Sequence, residues 1–171
     1  MIFATSGTTN YPFPRFIQAI DLSLLELDLT ERLIIQCPPS DYVFRYSKIE
    51  KFPELSFDQM TRYFKSSRLN VIHGGIGSIL LALNLGQNLP IVIPRSKSHN
   101  EHVDQHQIEF VHYLQKRINL PVVESSMNAI LQLKGFLINP QKNTFENLGS
   151  HRRSLINKLV NYSDSMAFTN L

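Results

Sequence analysis

The chain has 171 residues, 43% apolar and 18% charged, a mixture typical of one globular domain that excludes a disordered or fibrous protein. Its one cysteine, Cys37, excludes an internal disulfide, and no apolar run approaches the roughly 20 residues that cross a bilayer. The net charge of +3 is uneven: residues 1–60 hold five basic and eight acidic side chains, and residues 61–171 hold twelve and six. This asymmetry suits an anionic ligand near the C-terminal two thirds, and the lack of a basic tract with interleaved aromatics argues against nucleic acid.

Strands and helices alternate in the predicted order of elements. Short apolar runs predict strands at residues 1–5, 32–36, 42–46, 70–72, 90–94 and 121–123. Helical spacing of apolar residues predicts helices at residues 13–24, 57–64, 79–85, 101–118 and 127–133. Runs that are apolar throughout and alternate with helices are typical of a parallel sheet covered on both faces. We therefore expect an α/β fold with a Rossmann-like, doubly wound parallel sheet.

The C-terminal segment has a different composition. Residues 140–150 are polar and predict a loop, and residues 152–162 predict a last helix with an apolar stripe formed by Leu155, Ile156, Leu159 and Val160. We divide the chain into a ligand-binding domain, residues 1–140, and a loop and helix, residues 141–171. The stripe is expected to pack on its own domain or to dock a partner.

Ligands of open α/β sheets bind beyond the carboxyl ends of the strands, and residues 73–78, HGGIGS, follow such a strand. Three glycines in four positions before a helix let backbone N–H groups approach a phosphate closely. The alternative is a tight strand–helix turn that needs glycine only for packing. The segment matches neither a Walker loop nor the GxGxxG motif.

A second polar segment, residues 95–107, places two cations, three histidines and two carboxylates directly after a strand. His99, His102 and His106, with Asp104, are spaced so that a helix could hold a metal ion between them. Alternatively, these side chains bind the hydroxyls of a polyol ligand or lie on an ordinary helix surface. Arg95 or Lys97 is a candidate for stabilising an anionic leaving group.

Two further groups of polar residues have simpler interpretations. In the loop after the first strand, Thr8 and Asn10 either donate to a ligand or a neighbouring chain, or cap the next helix by accepting its first backbone N–H groups. The acidic residues of the next helix region predict a solvated face; they are Asp21, Glu26, Asp28 and Glu31. No Ser-His-Asp elbow, CxxC pair or paired carboxylates at strand ends support hydrolase chemistry.

Four motifs in register resemble a known family. MIFATSGT followed by PFPRF, HGGIGSILLAL, PIVIPR and EHVDQHQIEF resemble bacterial exopolysaccharide and capsule glycosyltransferase subunits of the family 28 C-terminal-domain type. The cytosolic subunit of the eukaryotic two-part dolichol-linked N-acetylglucosaminyltransferase is similar. The resemblance covers about residues 1–124 and implies the C-terminal half of a GT-B glycosyltransferase.

The resemblance also implies a set of donor-binding residues. His73, Gly74, Gly75, Gly77 and Ser78 would hold the diphosphate, and Glu101, His102, Asp104, His106 and Gln107 the sugar and ribose hydroxyls. Gly7 and Thr8 would line the cleft, with Arg95 near the leaving group. Gln105 replaces a second Asp common in relatives, and Leu81 stands where broader GT-B enzymes place a ribose-binding Glu.

The implied reaction transfers a hexose, galactose or N-acetylglucosamine, from a UDP-sugar to a lipid-linked acceptor in polysaccharide biosynthesis, without a metal or other cofactor. A membrane-attached partner would supply the acceptor half, and no catalytic base is evident in this chain. With one cysteine and no signal-peptide pattern, we expect a cytoplasmic protein recruited to the inner face of the cell membrane through its partner. The alternatives are a non-catalytic nucleotide-sugar-binding regulator of a partner glycosyltransferase and a UDP-sugar epimerase.

Overall fold

A computed structural model of the chain describes residues 1–124 and 128–145 and the single positions 153, 156, 157 and 161. Five parallel strands form one sheet in the order β3-β2-β1-β4-β5. The strands are β1 Ile2–Thr5, β2 Leu33–Gln36, β3 Ile49–Phe52, β4 Leu69–Ile72 and β5 Ile91–Val92. The helices are α1 Pro14–Glu26, α2 Phe57–Ser66, α3 Ile76–Leu85, α4 His106–Ile118 and α5 Ala129–Ile138. The predicted doubly wound parallel sheet is confirmed.

The three central strands of the sheet, β2, β1 and β4, are buried on both faces because most of their residues are apolar. Ile2 and Ala4 of β1 pack in one core cluster with α1 and α5, and Phe3 packs in a second cluster with α2, α3 and α4. All four residues of β1, β2 and β4 are buried. Because these strands are parallel, their carboxyl ends, and the loops that follow them, lie at one open edge.

Local sequence signals account for where several helices begin. Pro14 opens α1, where a missing N–H costs nothing. Ser56 and Gln59 form a reciprocal capping box at the start of α2. Gly75 precedes α3 without any side-chain cap, so the first N–H groups of that helix stay open to the loop edge.

The predicted strand at residues 42–46 is wrong. The segment has no strand pairing, and the third strand is β3. The backbone N–H groups of Arg45 and Tyr46 donate to the buried carboxylate of Asp21 at 3.0 and 2.9 Å, and the Tyr42 hydroxyl donates to it at 2.8 Å. Alternate aromatic side chains pack inward, which is why the sequence pattern resembles that of a strand. Two backbone N–H groups of the segment bind the Asp21 carboxylate instead of a neighbouring strand.

The predicted helix at residues 101–118 begins five residues late, at His106. Asn100 has a left-handed conformation (φ 55°), and the Asp104 carboxylate accepts the His106 N–H at 3.0 Å. These local bonds compete with helix extension. Consequently His99 and His102 lie outside the helix that the metal-site alternative requires.

The remaining elements agree more closely with their predictions. Val122 of the predicted last strand makes a single parallel bridge to Val92 at the edge of the sheet, and α5 begins near its predicted start and extends to Ile138. Within the described part of the chain, no helix combines the length and apolarity needed to cross a membrane.

Most of the C-terminal prediction lies outside the described residues, including Leu155, Leu159 and Val160 of the apolar stripe. The four described positions beyond 150 are helical, and Ile156 is partly buried against the cluster of α2, α3 and α4. This contact agrees with packing on its own domain, one of the two predicted alternatives.

Candidate functional site

Three loops meet at the open edge of the sheet. The β1–α1 loop (residues 6–13), the glycine loop (residues 73–78, which runs into the start of α3) and the β5–α4 loop (residues 93–105) follow strands that are neighbours in the sheet. Because carboxyl ends of parallel strands share an edge, the three predicted polar segments become one surface.

A cavity of about 250 Å³ opens between the glycine loop and the β1–α1 loop. Six of the predicted site residues line it: Gly7, Thr8, His73, Gly75, Gly77 and Ser78. The other lining residues are Thr5, Gln36, Leu55 and Met60. Sequence analysis did not single out Gln36, although a polar residue at the end of an apolar strand is a usable signal.

The floor of this cavity is polar and internally bonded. Thr5 Oγ1 donates to Gln36 Oε1 at 2.5 Å, and Gln36 Nε2 donates to the carbonyls of Gly7 and Pro53 at 3.3 and 3.1 Å. The Gly7 N–H donates to Thr5 Oγ1 at 3.2 Å, and Gly7 has a φ of +80°, a conformation that favours glycine. These bonds fix the shape of the β1–α1 loop beside the glycine loop.

The His73 imidazole lies between two glycines of the cavity. Its Nδ1 is 3.3 Å from the Thr5 carbonyl; since a carbonyl only accepts, Nδ1 carries the proton and Nε2 is the acceptor in the neutral ring. A Cβ at Gly7 or Gly75 would lie closer than 3.0 Å to Nε2. Both positions therefore need glycine to accommodate the imidazole, a reason that sequence analysis missed.

Burial lowers the pKa of His73 to about 4, against an opposing contribution from its bond to Thr5; the positive charge of Arg95 lowers it further. The ring is consequently neutral at pH 7. Around it, the backbone N–H groups at the start of α3 have no side-chain cap and present the positive end of the helix dipole. The chemistry offered here is that of an anion site built from amides.

Gln107 connects the glycine loop with the β5–α4 loop. Its Oε1 accepts the Gly74 N–H and the Arg95 N–H, both at 3.1 Å. A Cβ at Gly74 would approach Gln107 Cβ to 2.9 Å. The amide oxygen of Gln107, expected to bind a sugar hydroxyl, is thus engaged by two backbone groups.

His102, Asp104 and His106 come together in a partly exposed cluster beside this connection. His102 Nδ1 lies 2.9 Å from Asp104 Oδ1, and His106 Nε2 lies 3.6 Å from Asp104 Oδ2. Two buried atoms here, Gln105 Oε1 and His106 Nδ1, have no hydrogen-bond partner among the described residues. The cluster offers imidazole and carboxylate groups to a hydroxylated ligand.

Two predicted site residues are turned into the protein instead. Glu101 is 2% exposed and accepts from Arg15 Nε and Nη2 at 3.1 and 2.7 Å and from the Ser96 N–H at 3.0 Å. Arg95 is completely buried, and burial lowers its pKa to about 10, partly offset by Glu101. Neither side chain can touch a ligand in this structure, whereas Lys97 is exposed.

The described residues show no arrangement of side chains that supports the metal-site alternative. Over the described residues, no group of three or more His, Cys, Asp or Glu side chains is arranged to hold an ion. His102 and His106 instead both lie close to Asp104, with His102 Nδ1 at 2.9 Å and His106 Nε2 at 3.6 Å from its carboxylate.

Comparison with known proteins gives one family and a set of similar folds. The model of the glycosyltransferase family 28 C-terminal domain matches residues 1–158. The solution structure of ALG13 is similar with a TM-score of 0.61 and 20% identity, over 93% of this chain and 94% of that one. The glycotransferase of kitacinnamycin is similar with a TM-score of 0.57 and 12% identity, over 94% of this chain and 39% of that one. None of the curated proteins searched matches the chain.

Proposed function

Since the chain belongs to the glycosyltransferase family 28 C-terminal domain family, whose fold is one half of a GT-B enzyme, we propose that it is the donor-binding subunit of a split glycosyltransferase. It transfers a hexose, galactose or N-acetylglucosamine, from a UDP-sugar to a lipid-linked acceptor in exopolysaccharide or capsule biosynthesis. The observation that carries this proposal is the cavity beside the glycine loop, where six predicted donor-binding residues meet at the uncapped start of α3.

The diphosphate of the donor lies over the glycine loop in this proposal. The N–H groups of Ile76, Gly77 and Ser78 form the first turn of α3, and they donate to phosphate oxygens at the positive end of the helix dipole. Negative charge grows on the diphosphate as the bond to the sugar breaks. Amides fixed in place before the reaction stabilise that charge.

The sugar and ribose hydroxyls bind the cluster at the end of the β5–α4 loop and the start of α4. His102, Asp104 and His106 are between 24% and 36% exposed in their side chains, so a ligand can reach them. Gln105 Oε1 and His106 Nδ1 have no hydrogen-bond partner among the described residues, although His106 Nδ1 lies 3.6 Å from Glu109 Oε2. A hydroxylated ligand that bonded to both atoms would offset the cost of burying them.

The other half of the enzyme is a membrane-attached chain that supplies the acceptor site and the general base. A GT-B site lies between two Rossmann-like domains, and the described residues form one sheet. This chain would then be a cytoplasmic protein held at the inner face of the membrane by that partner. Residues 141–171, which follow the donor-binding domain of residues 1–140, are the proposed docking segment.

The first test is isothermal titration calorimetry of the full chain with UDP in excess chelator. We expect binding to persist, because amides take the role of a metal at the diphosphate, and UMP to bind more weakly than UDP. Loss of UDP binding in chelator would instead favour the metal alternative. No binding in either condition would contradict the donor site.

The second test measures transfer from UDP-galactose and UDP-N-acetylglucosamine to lipid-linked acceptors in membranes that contain the partner. We expect transfer only when both chains are present. Full transfer by the partner alone would favour the regulator alternative, and full transfer by this chain alone on a soluble acceptor would contradict the split enzyme.

A further inference from the structure

The guanidinium of Arg95 joins separate parts of the loop edge. Nη1 donates to the carbonyls of Tyr11 and Glu101 at 2.8 and 3.0 Å, and Nη2 donates to the Ser6 carbonyl at 2.8 Å. Ser6 and Tyr11 belong to the β1–α1 loop, whereas Glu101 lies at the far end of the turn that begins at Arg95. One side chain therefore fixes the distance between two loops.

A second, parallel connection reinforces the first. Arg15 of α1 donates to the Glu101 carboxylate and, at 2.7 Å, to the Pro94 carbonyl. The Phe13 ring lies against both cations, with its centroid 4.5 Å from Arg95 Cζ and 5.3 Å from Arg15 Cζ. Two guanidinium groups and one carboxylate thus form a buried network under the β5–α4 loop.

The same residue also reaches the glycine loop. The Arg95 N–H shares Gln107 Oε1 with the Gly74 N–H, so a shift of the Arg95 backbone would be passed to the loop at the start of α3. His102 and Asp104 follow Glu101 directly. Their place relative to the glycine loop consequently depends on how Arg95 holds Glu101.

We propose that Arg95 is a positioning residue for donor-sugar recognition: sealed from solvent, it holds the segment with His102 and Asp104 at the correct distance from the glycine loop. This inference rests on the proposed function, in which the glycine loop binds the diphosphate and the segment binds the sugar. Burying a charge is costly unless its hydrogen bonds are made. The fork of donors on Arg95 meets three carbonyls at once, which a lysine ammonium on a single stem cannot reproduce.

The substitution Arg95→Lys separates position from charge. It keeps the buried positive charge near the glycine loop but loses the fork geometry. We expect UDP to bind Arg95→Lys with nearly wild-type affinity, and the UDP-sugar that the wild type prefers to bind about tenfold more weakly, the equivalent of one or two lost hydrogen bonds. The double variant Arg95→Lys/His102→Ala should bind that UDP-sugar more tightly than the sum of the two single losses predicts, since both changes act on the His102 contact.

A matched control distinguishes general destabilisation of the fold from the loss of loop positioning. Leu24→Ala, at a fully buried position of α1 away from the loop edge, weakens the fold but should keep the wild-type ratio of UDP-sugar to UDP affinity. If Arg95→Lys does not fold, Glu101→Gln tests the same network from its other side, because it preserves the shape of the side chain and removes the carboxylate charge that pairs with Arg15. We expect the same selective loss of UDP-sugar affinity in that variant.

Hydrogen–deuterium exchange without ligand gives an independent measurement. Segment 96–106 should exchange faster in Arg95→Lys, or in Glu101→Gln, than in Leu24→Ala. Unchanged exchange, or equal losses of UDP and UDP-sugar affinity, would overturn the positioning role. A wild type that binds no UDP would contradict the proposed function, while the exchange result would still decide whether Arg95 holds the loop.

Discussion

The substitution Gly77→Ala separates ligand binding from folding at the glycine loop. Gly77 is the second residue of α3 and is exposed, and an added Cβ would meet no heavy atom within 4 Å. Alanine restricts the unfolded chain more than glycine, so we expect the free energy of unfolding to rise by about 0.5 kcal/mol. The added methyl group therefore makes no steric clash within the protein.

A bound diphosphate, by contrast, would clash with this methyl group. In the proposed pose its oxygens lie against the first amides of α3, and a methyl group among them would push the phosphate away. A hydrogen bond to a charged group contributes about 1.5–3 kcal/mol. Losing one should raise the dissociation constant for UDP by about 10- to 100-fold.

Calorimetry with UDP and thermal denaturation measure the two effects on the same samples. The matched control is Gly135→Ala in α5, where an added Cβ also meets nothing within 4 Å; it should stabilise the fold and leave UDP affinity unchanged. A folded Gly77→Ala variant that binds UDP like the wild type would refute the phosphate site. Gly75→Ala cannot serve this purpose, because its Cβ would collide with the His73 ring.

Three further predictions address other parts of the structure. Asp21→Ala should lower the free energy of unfolding by about 3 kcal/mol in urea denaturation, because three donors, the buried Tyr46 N–H among them, lose their acceptor. Asp41→Ala, at an exposed position, should change it by less than about 0.5 kcal/mol, and equal effects would contradict this. His102→Ala should weaken UDP-sugar binding in calorimetry about two- to tenfold and spare UDP, whereas equal losses would place His102 at the nucleotide. Folding lowers the pKa of His73 from 6.5 to about 4, so between these pH values the unfolded chain binds a proton that the folded chain does not. The free energy of unfolding should therefore fall by at most about 3 kcal/mol as the pH drops from 6.5 to 4. A His73→Gln variant with the same pH dependence would contradict the assignment of this effect to His73.

The sheet was predictable because its strands are buried on both faces. LIIQ of β2 and the residues around Asn70 of β4 are short, nearly continuous apolar runs, and their alternation with predicted helices is typical of a parallel sheet covered on both faces. The third strand was mispredicted because residues 42–46 and 49–52 both suit a strand, and the choice depends on Asp21. That aspartate, expected on a solvated face, is completely buried, and single-sequence spacing cannot show that its carboxylate will accept backbone amides 24 and 25 residues further along the chain.

At the candidate site, too, residue spacing predicts where a segment lies, whereas packing decides which of its side chains face a ligand. Residues 95–107 were correctly expected to lie at the loop edge, since they follow a strand of a parallel sheet. Within that segment, sequence alone does not separate side chains that face a ligand from those that fold the loop. His102 and Asp104 are partly exposed, while Glu101 is used by Arg15 of a distant helix, a contact across 86 residues.

A loop that carries so many polar groups needs internal partners before it can present any of them to a ligand. The backbone of the β5–α4 loop leaves the sheet at Pro94. Residues 96–101 bond to one another in a turn, and other amides and carbonyls of the loop bind side chains. Arg15, Arg95 and Glu101 supply these partners from within the protein. These three charged side chains are therefore needed to hold an irregular loop at the open edge of the sheet. The many charged residues of segment 95–107 consequently include both side chains that face a ligand and side chains that hold the loop.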